Sequence, residues 1–161
     1  MPAPVPATEP LPLVSASDLV NPLLKVGDAM TASPRSCSPA STVLEAAMLM
    51  RDAACGVVPV TDGGRPVGIL TDRDIALALP DREAGLPTTP VSDLMSDRLV
   101  TVDRDATIES AMEKLGGEGV RRVLVVDADG LLAGILSWVD LVPHLSERGI
   151  GRVVSRVVEN R

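Results

Sequence analysis

The chain contains an internal repeat, and this repeat constrains the fold more than any other feature of its 161 residues. Residues 26–30 (VGDAM) return as residues 91–95 (VSDLM), and residues 68–75 (GILTDRDI) return as residues 134–141 (GILSWVDL). The copies lie about 65 residues apart, and self-similarity at a fixed spacing indicates that the fold is built from repeated units. Because one such unit leaves a sheet face that it cannot cover alone, its neighbour has to cover it. The sequence therefore predicts two α/β (α+β) repeats, repeat 1 and repeat 2, packed as a pseudo-two-fold pair.

Repeat 1 is predicted to follow a β-α-β-β-α order. Thr42 and Glu45 match a capping box, which marks the start of a helix with an apolar face. Two short apolar strands follow at residues 57–60 and 67–70, joined by a turn of Asp and Gly. Thr71 then stands where a second helix begins.

Repeat 2 predicts the same elements in the same order. Residues 107–115 have helical spacing of apolar side chains, and residues 123–126 and 132–136 are two apolar strands separated by an Asp-Gly turn. Ser137 is the predicted cap of the last helix of the repeat.

The composition excludes several classes of function. Trp138 is the single aromatic residue, so the chain lacks the stacking surfaces with which proteins bind single-stranded nucleic acid, and its net charge of -7 also disfavours a nucleic-acid partner. One His and two separated cysteines, Cys37 and Cys55, do not supply a zinc site or a Ser/His/Asp triad. The prediction therefore includes no metal site and no catalytic residue. Without a basic signal segment or an apolar run of about 18 residues, the chain is expected to be cytoplasmic and not in a membrane.

The repeated blocks resemble those of the cystathionine beta-synthase (CBS) domain pair, also called a Bateman module, over residues 24–142. The resemblance is carried by the two Asp-x-Met blocks, by residues 58–60 (VPV) and 125–127 (VVD), and by the two Gly-Ile-Leu-Ser/Thr-x-x-Asp blocks. It implies regulatory sensing rather than catalysis, with no required cofactor. It also implies that an adenosine-containing ligand, such as AMP, ADP, ATP or S-adenosylmethionine, binds in clefts between the repeats.

The resemblance assigns two residues of each repeat to the ligand. Asp74 and Asp140 would bind the ribose, and Thr71 and Ser137 would lie near the phosphate, at helix starts that favour an anion. The same Ser/Thr-x-x-Asp pattern is also a good helix cap that needs no ligand. Both readings stay open at the level of the sequence, and one residue can serve both roles.

The two clefts are predicted to differ in charge. Arg121 and Arg122 precede the second Val-rich strand, whereas Cys-Gly at residues 55–56 holds the matching place in repeat 1. By the resemblance, the Arg pair would bind phosphate in the cleft of Asp74, joined by Arg73. A solvated edge is the alternative role of the pair. The other cleft would be empty or would bind a ligand of little charge.

An adenine in either cleft would have to lie between aliphatic walls, because aromatic residues are almost absent. Dispersion and backbone hydrogen bonds would then hold the base. The residues predicted for these walls are Val57, Val58, Ile69, Val123 and Ile135. Trp138 could wall a purine or be part of the core.

The segments outside the repeats are assigned from composition. Residues 1–17 are rich in Pro and Ala and are predicted to be disordered. The remaining boundaries are residues 24–80 and 91–142 for the repeats, 81–90 for a linker and 143–161 for a C-terminal amphipathic helix. The apolar stripe of that helix consists of Ile150, Val153, Val154, Val157 and Val158. The stripe covers either its own module or a second subunit, and a homodimer contact is expected.

Two functions from different classes follow. The leading prediction is a regulatory module that senses an adenosine-containing ligand and signals through conformation or dimer arrangement, with an unidentified regulated protein as a further partner. The alternative is a structural or adaptor pair whose clefts bind nothing.

Overall fold

Two β-sheets and the helices packed on them form the two repeats. The computed structural model describes residues 14–159. Its strands and helices, in chain order, are α1 (Val26–Ala29), β1 (Thr31–Ala32), α2 (Val43–Asp52), β2 (Val57–Asp62), β3 (Arg65–Thr71), α3 (Asp72–Arg82), β4 (Thr101–Asp103), α4 (Ile108–Gly117), β5 (Arg122–Val126), β6 (Leu132–Ser137), α5 (Trp138–Leu141) and α6 (Glu147–Glu159). Short 3-10 helices occur at Ala16–Asp18, Glu83–Thr88, Val91–Asp93 and Val142–His144. None of the helices within residues 14–159 is long and apolar enough to cross a membrane.

Each repeat begins with a segment that pairs with the other repeat. β1 of repeat 1 pairs with β6 of repeat 2, with Thr31 opposite Ile135, and gives a sheet of order β1-β6-β5-β4. In the other sheet β2 pairs with β3, and Ser96 of repeat 2 forms an antiparallel bridge to Ile69. Ile69 and Ile135 hold the same place in the two Gly-Ile-Leu blocks, so the pairing is reciprocal. The predicted pseudo-two-fold pair of α/β repeats is confirmed.

The helices begin at the predicted caps. The backbone N–H of Thr42 donates to Oε2 of Glu45 (2.7 Å), and the N–H of Glu45 donates to Oγ1 of Thr42 (3.2 Å), which completes the capping box of α2. At the start of α4 the N–H of Ser110 donates to Oγ1 of Thr107 (3.3 Å). These bonds satisfy N–H groups that the first helical turn leaves without a partner, so the start of each helix is defined.

Aliphatic side chains build the core of each repeat. Val58, Val60 and Leu70, each 0% exposed, belong to the core of repeat 1. Leu141, also fully buried, belongs to the larger core of repeat 2. Trp138 lies in this second core with 7% of its surface exposed, so the structure places it in the core and not in a cleft wall.

Both ends of the described chain pack on repeat 2. Val14 and Val153 are buried in its core, and Nη1 of Arg152 on α6 donates to Oδ2 of Asp18 at 2.8 Å. Residues 14–17 belong to the terminus that is predicted to be disordered, and in the structure Val14 of this segment is 4% exposed among apolar side chains. Residues 1–13 of that predicted segment lie outside the described residues, as do residues 160–161.

The predicted stripe of α6 is divided between the core and the surface. Ile150 packs against the core of repeat 2, and Val153 is 4% exposed. Val154 and Val158 are 53% and 62% exposed, and the side chain of Val157 lies outside the described part. The stripe therefore covers its own module with one edge and leaves the other edge at the surface.

The predicted linker at residues 81–90 is largely helical. α3 continues to Arg82, and a 3-10 helix follows it. Leu86 of this segment is 4% exposed and packs with Val43 and Ala78. The segment between the repeats therefore packs on α2 and α3.

Candidate functional site

A cavity of about 260 Å³ opens at the junction of the two repeats. Ile69 reaches it from β3 of repeat 1, and the bridge from Ile69 to Ser96 brings the segment after residue 95 of repeat 2 alongside. Its lining consists of Ile69, Ser96, Arg98, Leu99, Val100, Val120, Arg121, Arg122 and Leu124. We call this cavity the arginine cleft.

The arginine cleft combines an apolar floor with three cations. Leu124 is 2% exposed and Val120 is half-buried, so aliphatic carbon lines its inner part. Arg98, Arg121 and Arg122 are exposed residues at its border. Guanidinium groups are suited to phosphate because they offer several N–H donors in one plane. The arrangement can hold a flat apolar group inside and an anionic group at the mouth.

Thr71 and Asp74 form a helix cap near this cleft. Oδ2 of Asp74 accepts hydrogen bonds from the N–H (2.8 Å) and from Oγ1 (2.6 Å) of Thr71, and the N–H of Asp74 donates to Oγ1 of Thr71 (3.1 Å). Oδ1 of Asp74 takes no part in these bonds. The cavity lining includes Ile69, two positions before Thr71 on β3, but neither Thr71 nor Asp74. Arg73, exposed at the start of α3, does not line it either.

Asp140 forms the matching cap at the other contact between the repeats, where β1 pairs with β6. We call this contact the second junction. Oδ2 of Asp140 accepts from the N–H and from Oγ of Ser137, both at 2.7 Å. Its Oδ1 lies 3.5 Å from Oγ1 of Thr31, at the outer limit of a hydrogen bond. Thr31 belongs to β1, so a carboxylate of repeat 2 meets a side chain of repeat 1.

The strand register corrects the predicted match between the repeats by one residue. Arg122 pairs with Ser137, and Val57 pairs with Thr71, so Val57 and not Gly56 is the counterpart of Arg122. The prediction was shifted because the hairpin of repeat 2 contains one residue more than the hairpin of repeat 1. Arg121 and Arg122 are therefore matched by Gly56 and Val57. Neither Gly56 nor Val57 is charged, so the predicted difference in charge between the two junctions is the same with either match.

The predicted aliphatic walls are divided between cleft and core. Ile69 lines the arginine cleft, whereas Val58 and Val123 are 0% and 1% exposed in the cores of their repeats. Neither of them lines the arginine cleft, whereas Leu124, the neighbour of Val123, does. Val57 and Ile135 are half-buried residues of the strands at the second junction.

The cysteines differ in exposure. Cys37 is buried, and this burial, with a smaller contribution from the charge of Glu45, raises the pKa of its thiol above 9.0. Cys55 is exposed, and its Sγ donates to the carbonyl of Val57 at 3.2 Å. Among the side chains that the structure describes, no group of three or more from His, Cys, Asp or Glu is arranged to hold a metal ion.

The fold and its junctions define a class: a pair of α/β repeats in which the opening segment of each repeat pairs with the other repeat, with a cleft at one junction. The CBS domain model matches residues 26–81 and 91–147 of the chain. The chain belongs to the CBS domain family, which confirms the resemblance found in its sequence.

Curated relatives of similar length also match. The CBS domain-containing protein YhcV of Bacillus subtilis (strain 168) is 35% identical over 133 residues, which cover 82% of this chain and 94% of YhcV. Hypoxic response protein 1 of Mycobacterium tuberculosis is 32% identical over 133 residues, which cover 81% of this chain and 91% of that protein. The chain is thus similar to these relatives over nearly their whole length.

Solved structures have the same fold. Hypoxic Response Protein I with two coordinated zinc ions is 31% identical, with a TM-score of 0.65 over 76% of this chain and 100% of the other. CBSX2 in complex with AMP is 30% identical, with a TM-score of 0.62 over 74% of this chain and 93% of the other.

Proposed function

We propose that this chain is a regulatory CBS pair that binds an adenosine-containing ligand with at least one phosphate in the arginine cleft. The observation that carries the proposal is the meeting of Ile69 from repeat 1 with Arg121 and Arg122 from repeat 2 around one cavity. The complex of the similar protein CBSX2 with AMP supports this ligand class. AMP, ADP and ATP are the leading candidates, because each combines an apolar base with an anion.

Each part of such a ligand has a candidate partner. Arg121 and Arg122 would bind the phosphate, and the start of α3 at Thr71 would add its N–H groups. Oδ1 of Asp74 would accept from the ribose hydroxyls while Oδ2 keeps the helix cap. The base would lie against Ile69 and the other aliphatic residues of the cleft. A cavity of about 260 Å³ is close to the lower end of the range for ligand pockets, roughly 300 Å³.

The second junction would take a different ligand or none. Asp140 and Ser137 repeat the ribose-type cap there, but Gly56 and Val57 supply no cation for a phosphate. An uncharged or positively charged nucleoside, S-adenosylmethionine among them, suits this junction better than a nucleotide. The proposal therefore predicts that each chain binds one phosphate-containing ligand.

Occupancy of the arginine cleft would act through the contact between the repeats, because the ligand touches both of them. The proposed output is a change in a homodimer or in the binding of a regulated protein, without catalysis. Val154 and Val158, exposed on α6, are candidate contacts for such a dimer. A structural or adaptor pair is the competing function, favoured by the fact that Asp74 and Asp140 already serve as helix caps.

Isothermal titration calorimetry with AMP, ADP, ATP, S-adenosylmethionine and adenosine tests the proposal. We expect the phosphate ligands to bind with one site for each chain. Asp74→Asn keeps an acceptor for the helix cap but weakens the ribose contact, so AMP affinity should fall about tenfold or more. Asp140→Asn is the matched control and should leave AMP binding unchanged. If no adenosine-containing ligand binds the wild-type protein, the adaptor function replaces the proposal.

A further inference from the structure

A second cavity of about 300 Å³ adjoins the arginine cleft. It is lined by Arg98, Leu99, Val100, Thr101, Lys114 and Glu118. Arg98, Leu99 and Val100 line both cavities, so this short segment is the wall between them. A side chain on the wall can therefore serve either cavity without a change in the backbone.

Arg98 is held on the side of the second cavity by a weak contact. Its Nη2 lies 3.4 Å from Oε2 of Glu118, and the two side chains are 71% and 53% exposed. Exposed ion pairs of this kind contribute little to stability, because water screens the charges and both side chains lose freedom. The guanidinium of Arg98 can leave Glu118 at low cost.

We propose that Arg98 determines how many phosphates the arginine cleft prefers, by exchanging Glu118 for a phosphate oxygen of the bound ligand. This inference rests on the proposed function and identifies the ligand class more closely. A nucleoside triphosphate places more negative charge at the mouth of the cleft than one carboxylate can offer. Arg98 then turns into the cleft and joins Arg121 and Arg122. With a monophosphate the attraction is smaller, and Arg98 stays paired with Glu118 for more of the time.

The pair of Arg98 and Glu118 has no equivalent at the matching positions of repeat 1. Ser96 and Thr31 hold the same place in the opening segments of the repeats, so the counterpart of Arg98 in repeat 1 is Ser33. Glu118 is the C-cap residue of α4 and Ala53 is the C-cap residue of α2, so the counterpart of Glu118 is Ala53. Repeat 1 therefore has neither member of the pair, which matches the absence of cations at its residues 56–57.

A double-mutant cycle tests the exchange, with dissociation constants for ATP and AMP measured by calorimetry. Arg98→Gln should weaken ATP about fivefold and AMP less, since a charge-assisted bond to phosphate is lost. Glu118→Gln frees Arg98 and should strengthen ATP about twofold to fivefold. In the Arg98→Gln background, the substitution Glu118→Gln should have no effect, because the side chain that it frees is gone.

A charge-matched control separates the exchange from general electrostatics. Glu113 is exposed on α4 and lines neither cavity, so Glu113→Gln removes the same charge without touching Arg98. An equal gain in ATP affinity from Glu113→Gln, or a gain from Glu118→Gln that persists without Arg98, overturns the inference.

Inorganic tripolyphosphate distinguishes failure of this inference from failure of the proposed function. In one outcome no adenosine-containing ligand binds, but Glu118→Gln strengthens tripolyphosphate binding, and does so only when Arg98 is present. This outcome supports the role of Arg98 and overturns the adenosine site. If AMP and ATP bind but the cycle shows no coupling, only the role of Arg98 falls. If neither tripolyphosphate nor any nucleotide binds, both are overturned.

Discussion

Met30 packs directly on Gly134, so that a Cβ on this glycine would overlap the Met30 sulfur and lie 3.0 Å from the carbonyl oxygen of Thr31. The same contact recurs between Met95 and Gly68. In both cases the methionine of one repeat lies on the glycine of the other. The Asp-x-Met and Gly-Ile-Leu blocks, which are far apart in the sequence, are therefore the two sides of one contact between the repeats.

Gly134→Ala should destabilise the protein by about 1–3 kcal/mol, because the added Cβ meets the backbone carbonyl of Thr31 as well as the Met30 side chain, and the backbone cannot turn aside. Urea denaturation measures the change in free energy of unfolding. Gly117→Ala is the matched control: nothing lies within 4 Å of its added Cβ, and its stability should stay within about 0.5 kcal/mol of wild type. Equal stability of the two variants would show that the contact across the repeats carries no weight.

The main helices and the hairpins could be predicted from the sequence because each of them has a local signal. Thr42 with Glu45 marks a helix start, and the apolar runs on both sides of a Gly turn mark hairpins. The pairing of β1 with β6 could not be predicted, since β1 contains two residues and has no periodicity to read. Tertiary packing determines which strand pairs with β1, because Met30 and the Thr31 backbone contact Gly134.

The candidate site was predictable only in part. The meeting of Ile69 with Arg122 followed from the family resemblance, and the structure places both on one cavity. The burial of Val58 and Val123 could not be predicted, because their strands are apolar on both faces and no alternation shows which face is buried. Arg98 was missed because it stands in an irregular segment that no repeat or periodicity marks.

The ion pair between Asp18 and Arg152 joins the N-terminal segment to α6. The side chain of Asp18 is 3% exposed and that of Arg152 is 23% exposed, so water replaces a lost partner poorly. Asp18→Asn should therefore destabilise the protein by about 1–3 kcal/mol in thermal or urea unfolding.

The exposed pair of Arg51 and Asp52, with side chains 70% and 50% exposed, supplies the control for this experiment. Asp52→Asn should change stability by less than about 0.5 kcal/mol. A loss as small as this in Asp18→Asn would mean that α6 is held by its apolar contacts, such as Val153, and not by the ion pair.

The two thiols should react at very different rates. Cys55 is exposed and should react with a thiol reagent such as DTNB in the native protein, whereas buried Cys37 should react only on unfolding. In Cys55→Ser the fast phase should disappear. Rapid labelling of both cysteines under native conditions would contradict the burial of Cys37.

The raised pKa of Cys37 also sets a dependence of stability on pH. The folded state holds the thiol proton more tightly than the unfolded state does, so this contribution to stability is complete below the ordinary thiol pKa of 9.0. It is lost as pH rises through the higher pKa of the folded state. Stability measured by urea should therefore fall above pH 9.0, and Cys37→Ala should fall less steeply over the same range.

The difference in charge between the two junctions can be tested by gain of function. Val57 is the register counterpart of Arg122, so Val57→Arg places a guanidinium where the second junction lacks one. We expect the stoichiometry of AMP binding in calorimetry to rise from one to two for each chain, with the new site weaker because it has fewer cations. Adding Asp140→Asn to Val57→Arg should abolish the new site.

Val20→Arg serves as the control for this gain, since it adds the same charge at a position that is 72% exposed and lines neither cavity. Its stoichiometry should remain one. If Val57→Arg folds with the thermal stability of wild type but still binds one AMP, a cation at this position is not what separates the two clefts. The cause would then lie in the cavity itself, where Leu124 of repeat 2 lines the arginine cleft and Pro59 holds its place in repeat 1.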